Sequence, residues 1–187
     1  MRFLLFFIVI MFSASMAYSQ NDSGWIILNN GDTVDCAVFS WKNGSLLSKP
    51  KVSVDTGDSR VLEYTSYDIR EFSKGDSTFW SIPYKPWREG NNKLVFAVLL
   101  MKNREHHLLK YENVISSEYG PQYDLKYYYY AGKLFKEEVT GSNYREIITD
   151  YFSDCQYIKD LLSEKKNFFR DDRISNVARS YRVNCGN

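Results

Sequence analysis

At Gly141 the hydrophobic period of this chain changes, and the change divides the polypeptide into two kinds of structure. Before that point apolar residues recur at every second position, in short runs broken by turn-forming residues. Beyond it they recur at about 3.6. Alternation sends successive side chains to opposite faces of a strand, whereas helical spacing gathers them on one side. The pattern predicts an α+β protein that is mostly β. An antiparallel meander sheet, or an open barrel or roll, covers about 24–140, and a short C-terminal helical tail over 141–187 packs on the same domain.

The strand runs are short and punctuated. Residues 25–28 are apolar and lead into Asn29-Asn30-Gly31-Asp32. Asn-Gly between apolar runs marks a hairpin, because both residues tolerate the positive φ of a type I′ turn. Residues 33–41 then alternate, with Val34, Cys36 and Val38 on one face, and Asn43-Gly44 marks a second hairpin turn. Further strands are expected at 51–55, 60–65, 68–72 and 77–84, and Trp80, Ile82 and Tyr84 share a face in the last. Residues 83–92 hold two prolines, a glycine and two asparagines and read as a loop. The unbroken apolar run from Leu94 to Met101 is expected to be a central strand covered on both faces. Strands at 105–112, 125–131 and 134–139 complete the sheet.

In the tail, Asn143 with Glu146, and Ser153 with Gln156, have the spacing of helix-starting capping pairs. Ile147, Ile148, Tyr151 and Phe152 form one apolar stripe, and Ile158, Leu161 and Leu162 the next. Ile174, Val177, Ala178 and Tyr181 form the buried face of a last helix, with Gly186 at a helix-ending position.

The N-terminal segment 1–19 reads as a secretory signal. Arg2 is its only charge, Leu4 to Phe12 is continuously apolar, and Ser13, Ala14, Ser15, Ala17 and Ser19 supply small residues at the exit. The run is shorter than the roughly 18–20 residues a membrane-spanning helix needs. Ala17 and Ser19 fit a cut before Gln20, and Ser15 and Ala17 fit one before Tyr18; the first is preferred. The product is expected to be exported, to the periplasm, cell surface or medium, and not to span a membrane after cleavage. Loss of Arg2 leaves 23 basic residues against 23 acidic ones. A neutral chain argues against nucleic acid as a partner, since such binders usually carry a basic excess on one face.

Export brings the three cysteines into an oxidising space. Cys155 opens one predicted helix on the side of Ile158 and Leu162. Cys185 closes the next, four residues after Tyr181. Antiparallel packing would bring these ends together, so Cys155 and Cys185 are the expected disulfide. Cys36, between Val34 and Val38, is left as a buried thiol, with a nucleophile or intermolecular bridge as the sharper alternatives.

No Gly-x-Ser-x-Gly elbow, Walker-type loop or Gly-x-Gly-x-x-Gly loop is present. His106 and His107 are adjacent, so on a strand they face opposite ways and cannot grip one metal ion. His107 is expected to share a face with Leu109 and Tyr111, and His106 with Leu108. Glu137-Glu138, Asp171-Asp172 and Asp68 with Glu71 are most simply solvated charges. No catalytic residue, metal ligand or cofactor is therefore assigned. The four tyrosines Tyr127, Tyr128, Tyr129 and Tyr130 place two rings on each face of a strand. Either the strand is packed with its outer face covered, or the rings, with Trp87 nearby, form an exposed strip for a glycan or a partner protein.

The start Gly24-Trp25-Ile26-Ile27-Leu28-Asn29-Asn30-Gly31-Asp32-Thr33-Val34 resembles the opening of a group of uncharacterised exported proteins of Bacteroidota, whose mature region begins with a G-[YW]-[IV]-x-L-x-x-G-D-T hairpin. Tyr64 with Asp68-Ile69-Arg70-Glu71-Phe72 is similar to the group's next strand. Residues 127–134 resemble its Y-Y-x-x-x-G-K-L hairpin, and Asp154-Cys155 with the helix ending at Cys185 resembles its tail. The resemblance implies an envelope or secreted location and a β-rich body with a helical tail, and no particular activity. The combined expectation is a non-catalytic binding or accessory module whose partner is an envelope protein or glycan. The alternatives are a hydrolase with a site assembled from scattered residues, and a glycan-binding module using exposed tyrosines.

Overall fold

Turn chemistry sets the strand boundaries in the computed structural model, which describes residues 23–44, 48–58, 60–85, 93–117, 120–164 and 171–185. The expected signal segment, Trp87 and Gly186 lie outside the described residues. The strands are β1 (Ser23–Leu28), β2 (Thr33–Lys42), β3 (Lys51–Asp55), β4 (Val61–Thr65), β5 (Ile69–Lys74), β6 (Ser77–Pro83), β7 (Leu94–Asn103), β8 (His106–Ser117), β9 (Gly120–Ala131) and β10 (Leu134–Val139). Three helices follow: α1 (Tyr144–Tyr151), α2 (Gln156–Glu164) and α3 (Asp171–Asn184). Gly31 and Gly75 adopt φ of 97° and 53° in the β1–β2 and β5–β6 turns, where a side chain would be strained.

All ten strands join one open antiparallel sheet in the order β10-β9-β8-β7-β6-β5-β1-β2-β3-β4. The order departs from a plain meander at one place. The chain steps outward from β1 to β4, then returns to pair β5 with the other side of β1, Ile26 opposite Phe72 and Ile27 opposite Glu71. Strands four ranks apart in a flat sheet are separated by roughly 19 Å. The link from Thr65 to Ile69 can span at most roughly 14 Å. The sheet must therefore curl.

Its corner is pinned by hydrogen bonds. Asn29 donates through its backbone N–H to the Asp68 carbonyl and through its side chain to the Tyr67 carbonyl. The Asp68 carboxylate accepts from the Thr65 N–H and hydroxyl at 2.8 and 2.6 Å. Buried Ser66 donates to the Leu94 carbonyl, and Ser81 donates to the Ser66 carbonyl. This first roll encloses Ile26, Val38, Val52, Val54, Ile69, Phe72, Phe79 and Phe96.

The other half curls the opposite way. Tyr84, just past β6, donates its hydroxyl to Asp124 of β9 at 2.5 Å and accepts at its carbonyl from the Tyr128 hydroxyl at 2.7 Å. In a flat sheet those strands would be roughly 14 Å apart. Lys133, in the β9–β10 turn, reaches Glu71 of β5 at 3.7 Å. The second roll encloses Trp80, Ile82, Val95, Ala97, Leu109, Tyr111, Tyr128 and Tyr130. The three helices cover the outer side of its wall, where Met101, Leu108, Tyr127, Tyr129 and Val139 meet Ile147, Ile148, Phe152, Ile158, Val177 and Tyr181.

The apolar run of β7 is now explained. Val95, Ala97 and Leu99 face the second roll, Phe96 and Val98 the first, and Met101 the helices. A bulge between Leu99 and Met101 shifts the register at the point where the covering layer changes.

Three local expectations are corrected. Asn43-Gly44 is not a tight hairpin turn, because β2 and β3 are paired from Lys42 opposite Lys51 and the connection runs from 43 to 50. Asn43 instead wedges between β7 and β8, which are paired only from Val98 opposite Lys110 onward. Its carboxamide accepts from the Phe96 N–H at 2.8 Å and donates to the Phe96 and Glu112 carbonyls at 3.1 and 3.0 Å. Gly44 is needed because a Cβ there would collide with the Ser48 carbonyl. Asn143 sits at the start of α1 without making a side-chain cap. Its carboxamide turns back to β10, accepting from the Thr140 N–H and donating to Glu137 and the Glu138 carbonyl. At α2 the carbonyl that accepts the first N–H groups, from Ile158 and Lys159, belongs to Cys155 rather than Ser153.

Cys155 and Cys185 are joined as a disulfide with Cα atoms 5.6 Å apart, tying the start of α2 to the end of α3 across 30 residues. Among the described residues no helix is long and apolar enough to cross a membrane. Closing a loop of this size should stabilise by about 3–4 kcal/mol, so the Cys155→Ala/Cys185→Ala variant should lose about that much in denaturant titrations. Asn43→Ala leaves three backbone groups without their partner and should cost about 2 kcal/mol in the same measurement.

Candidate functional site

The pleat divides the tyrosine run two and two, and both sides are covered. Tyr127 and Tyr129 lie under the helices, and Tyr128 and Tyr130 lie inside the second roll, all at most 4% exposed. Tyr127 meets Ser175 at 3.2 Å, and Tyr129 meets His106 Nδ1 at 2.8 Å. The packed reading of this strand holds, and the rings offer no exposed strip to a ligand.

The adjacent histidines point apart, as alternation requires. His106 stacks against Tyr151 with ring centroids 4.6 Å apart, on the helix side. His107 lies inside the second roll beside Trp80, at 4.7 Å. Among the described residues no three potential metal ligands converge. The carboxylates noted in the sequence have separate structural partners: Asp68 the corner at Thr65, Glu71 Lys133, Glu137 Asn143, and Glu138 Lys126 at 3.7 Å. Asp171 and Asp172 begin α3.

Cys36 is half-buried against the first core and unpaired with another cysteine. Burial, and then the adjacent Asp35, push its thiol pKa up, which opposes nucleophilic use. It borders an open depression of about 510 Å³ with Trp25, Asp35, Ala37 and Asp55. A groove of about 220 Å³ lies between the β5–β6 turn, β7 and α3, with Leu100 and Met101 below and Asp76, Lys102 and Arg182 at its rim.

An open apolar surface lies elsewhere, on a part of the fold that the sequence did not reveal. β8 and β9 run past the expected limits at Glu112 and Leu125, out to Ser117 and Gly120, as a two-stranded arm. Asn113, two serines and Pro121 carry turn chemistry, so alternation there is disguised. Val114 lies directly opposite Tyr123, and Leu125 follows two residues later on the same face. Their exposures are 53%, 64% and 37%. A Lys110–Glu112 ion pair of 2.6 Å borders them, and Asn43 holds the root of the arm through the Glu112 carbonyl. The arm is therefore a braced strand pair presenting a small apolar face.

Comparison with known proteins gives no matching family model, curated sequence or solved structure. The geometry of the chain itself carries the functional argument.

Burial, with a smaller contribution from Lys102 and Lys133, lowers the His107 pKa to about 4. The unfolded value is near 6.5. The folded state thus binds its proton later than the unfolded chain. Stability linked to His107 is full above about pH 6.5 and declines as pH falls toward about 4, by at most about 3 kcal/mol. Chemical denaturation from pH 7 to 4 should show this decline, and His107→Leu should flatten it.

Proposed function

We propose that this chain is an exported, non-catalytic binding module that docks an envelope protein through the β8–β9 arm. The observation that carries the reading is the coplanar exposure of Val114, Tyr123 and Leu125 on a pair of strands standing clear of the three cores. Tyrosine is among the residues enriched as anchors of protein interfaces, and the neighbouring Val114 and Leu125 add apolar area that excludes water around it. The glycan strip that the tyrosine run could have formed is not on the surface, because all four of its rings are inside.

The groups best suited to acid–base work are engaged in the framework: His106 with Tyr129, Asp124 with Tyr84, and Asp154 with the Tyr181 hydroxyl at 3.2 Å. Export is supported by the signal-like segment, by the disulfide and by the resemblance to exported proteins of Bacteroidota. Disulfides persist mainly outside the reducing cytosol.

A photoreactive side chain at position 123, introduced in the native cells, tests the docking. One discrete envelope-protein adduct is expected, lost when Val114→Glu is added. It should be absent when the probe is moved to Val183, which is 75% exposed on α3. Equal labelling from both positions would remove the arm from the proposal. Mass measurement of the purified protein tests export separately: a chain beginning at Gln20 is expected, and an intact chain from Met1 in the cytosol would overturn it.

A further inference from the structure

Among the described residues, two buried polar side-chain atoms of the second roll have no protein hydrogen-bond partner, His107 Nδ1 and Tyr130 Oη. Their residues are 7% and 4% exposed and lie directly opposite each other on β8 and β9. Both rings pack on Trp80, at centroid distances of 4.7 and 6.3 Å. The Lys133 ammonium lies 3.6 Å from the centre of the Trp80 ring and reaches across to Glu71. Two unserved polar groups on the apolar inner face of the roll cost more than a phenylalanine and an aliphatic residue in the same places.

We infer that ordered internal water occupies this part of the roll, donating a hydrogen bond to His107 Nδ1 and accepting one from the Tyr130 hydroxyl. The chemistry of the two groups selects the ligand. Burial keeps the imidazole neutral, and a neutral imidazole has one N–H donor and one bare nitrogen acceptor. Nδ1 is the ring nitrogen without a protein partner, and it is assigned the bare acceptor role. Burial also keeps the Tyr130 hydroxyl protonated, so it has a hydrogen to give. A bare nitrogen repels an anion, and the nearby Lys133 and Lys102 charges repel a cation. A neutral molecule that both donates and accepts fits, and water is the smallest one. Lys133, spanning Trp80 and Glu71, would slow its exchange with bulk solvent.

Nitrogen-15 NMR of the histidine rings, with water-to-protein NOE measurements on the disulfide-bonded chain, tests this. In the wild type, Nδ1 of His107 should be unprotonated with a hydrogen-bonded shift, and a long-lived water should show cross-peaks to the His107 and Tyr130 side chains. Tyr130→Phe should weaken those cross-peaks and move the Nδ1 resonance toward that of a free acceptor. Lys133→Ala should leave the resonance in place and shorten the water's residence. A proton on Nδ1, no long-lived water in the wild type, or an Nδ1 resonance unmoved by Tyr130→Phe would each overturn the inference.

Discussion

Burial of both faces of β7 is the constraint on which the rest of this structure depends. A strand whose odd and even residues are all apolar cannot sit on the outside of a sandwich or a barrel. The sheet meets this requirement by curling twice, in opposite senses, so that β7 lies in the wall of each roll. Phe96 and Val98 complete one interior and Val95 and Ala97 the other. The helices then need to cover only what remains, the outer side of β7 to β10. Each of the three cores takes a share of one strand, and the Leu99–Met101 bulge adjusts that strand where its surroundings change.

Much of this was legible in local pattern. The alternation at Val34, Cys36 and Val38, the stripe at Ile174, Val177, Ala178 and Tyr181, and the opposed directions of His106 and His107 follow from periods of two and 3.6. The cysteine pairing followed from helix ends. The pairing of β5 with β1 was not legible, because contact between Ile26 and Phe72 leaves no mark in the sequence between them. Nor was the role of Asn43. Asn-Gly is the same dipeptide whether it turns a hairpin or fills a gap between splayed strands, and only the distant partners Phe96 and Glu112 decide which. Asn143 was misread for a related reason: its carboxamide had a choice between the helix it precedes and the strand it follows.

The same contrast shapes the functional reading. Composition draws attention to the tyrosine run, yet those rings have become interior structure, two under the helices and two inside the second roll. The exposed arm is compositionally plain. Its Val114, Tyr123 and Leu125 stand out only when register shows them on one face, beyond the reach of any covering layer. Several hydrogen-bonding side chains, among them Asn43, Asp68 and Tyr84, hold the curls, whereas Val114, Tyr123 and Leu125 leave apolar area on the surface of the arm.

The placement of β1 between β2 and β5 has a consequence for the newborn chain. Its first partner follows within a few residues, through the tight turn at Gly31, but its second is made some forty residues later. A polypeptide folding as it is made, N-terminus first, would carry β1 to β4 as a four-stranded flap with one side of β1 open. That flap cannot shut until the segment around Phe72 has emerged. For that interval the open side of β1 is a landing place for a chaperone or for a second copy of the same strand. Arrival of the Phe72 segment closes that side of β1 within the same chain.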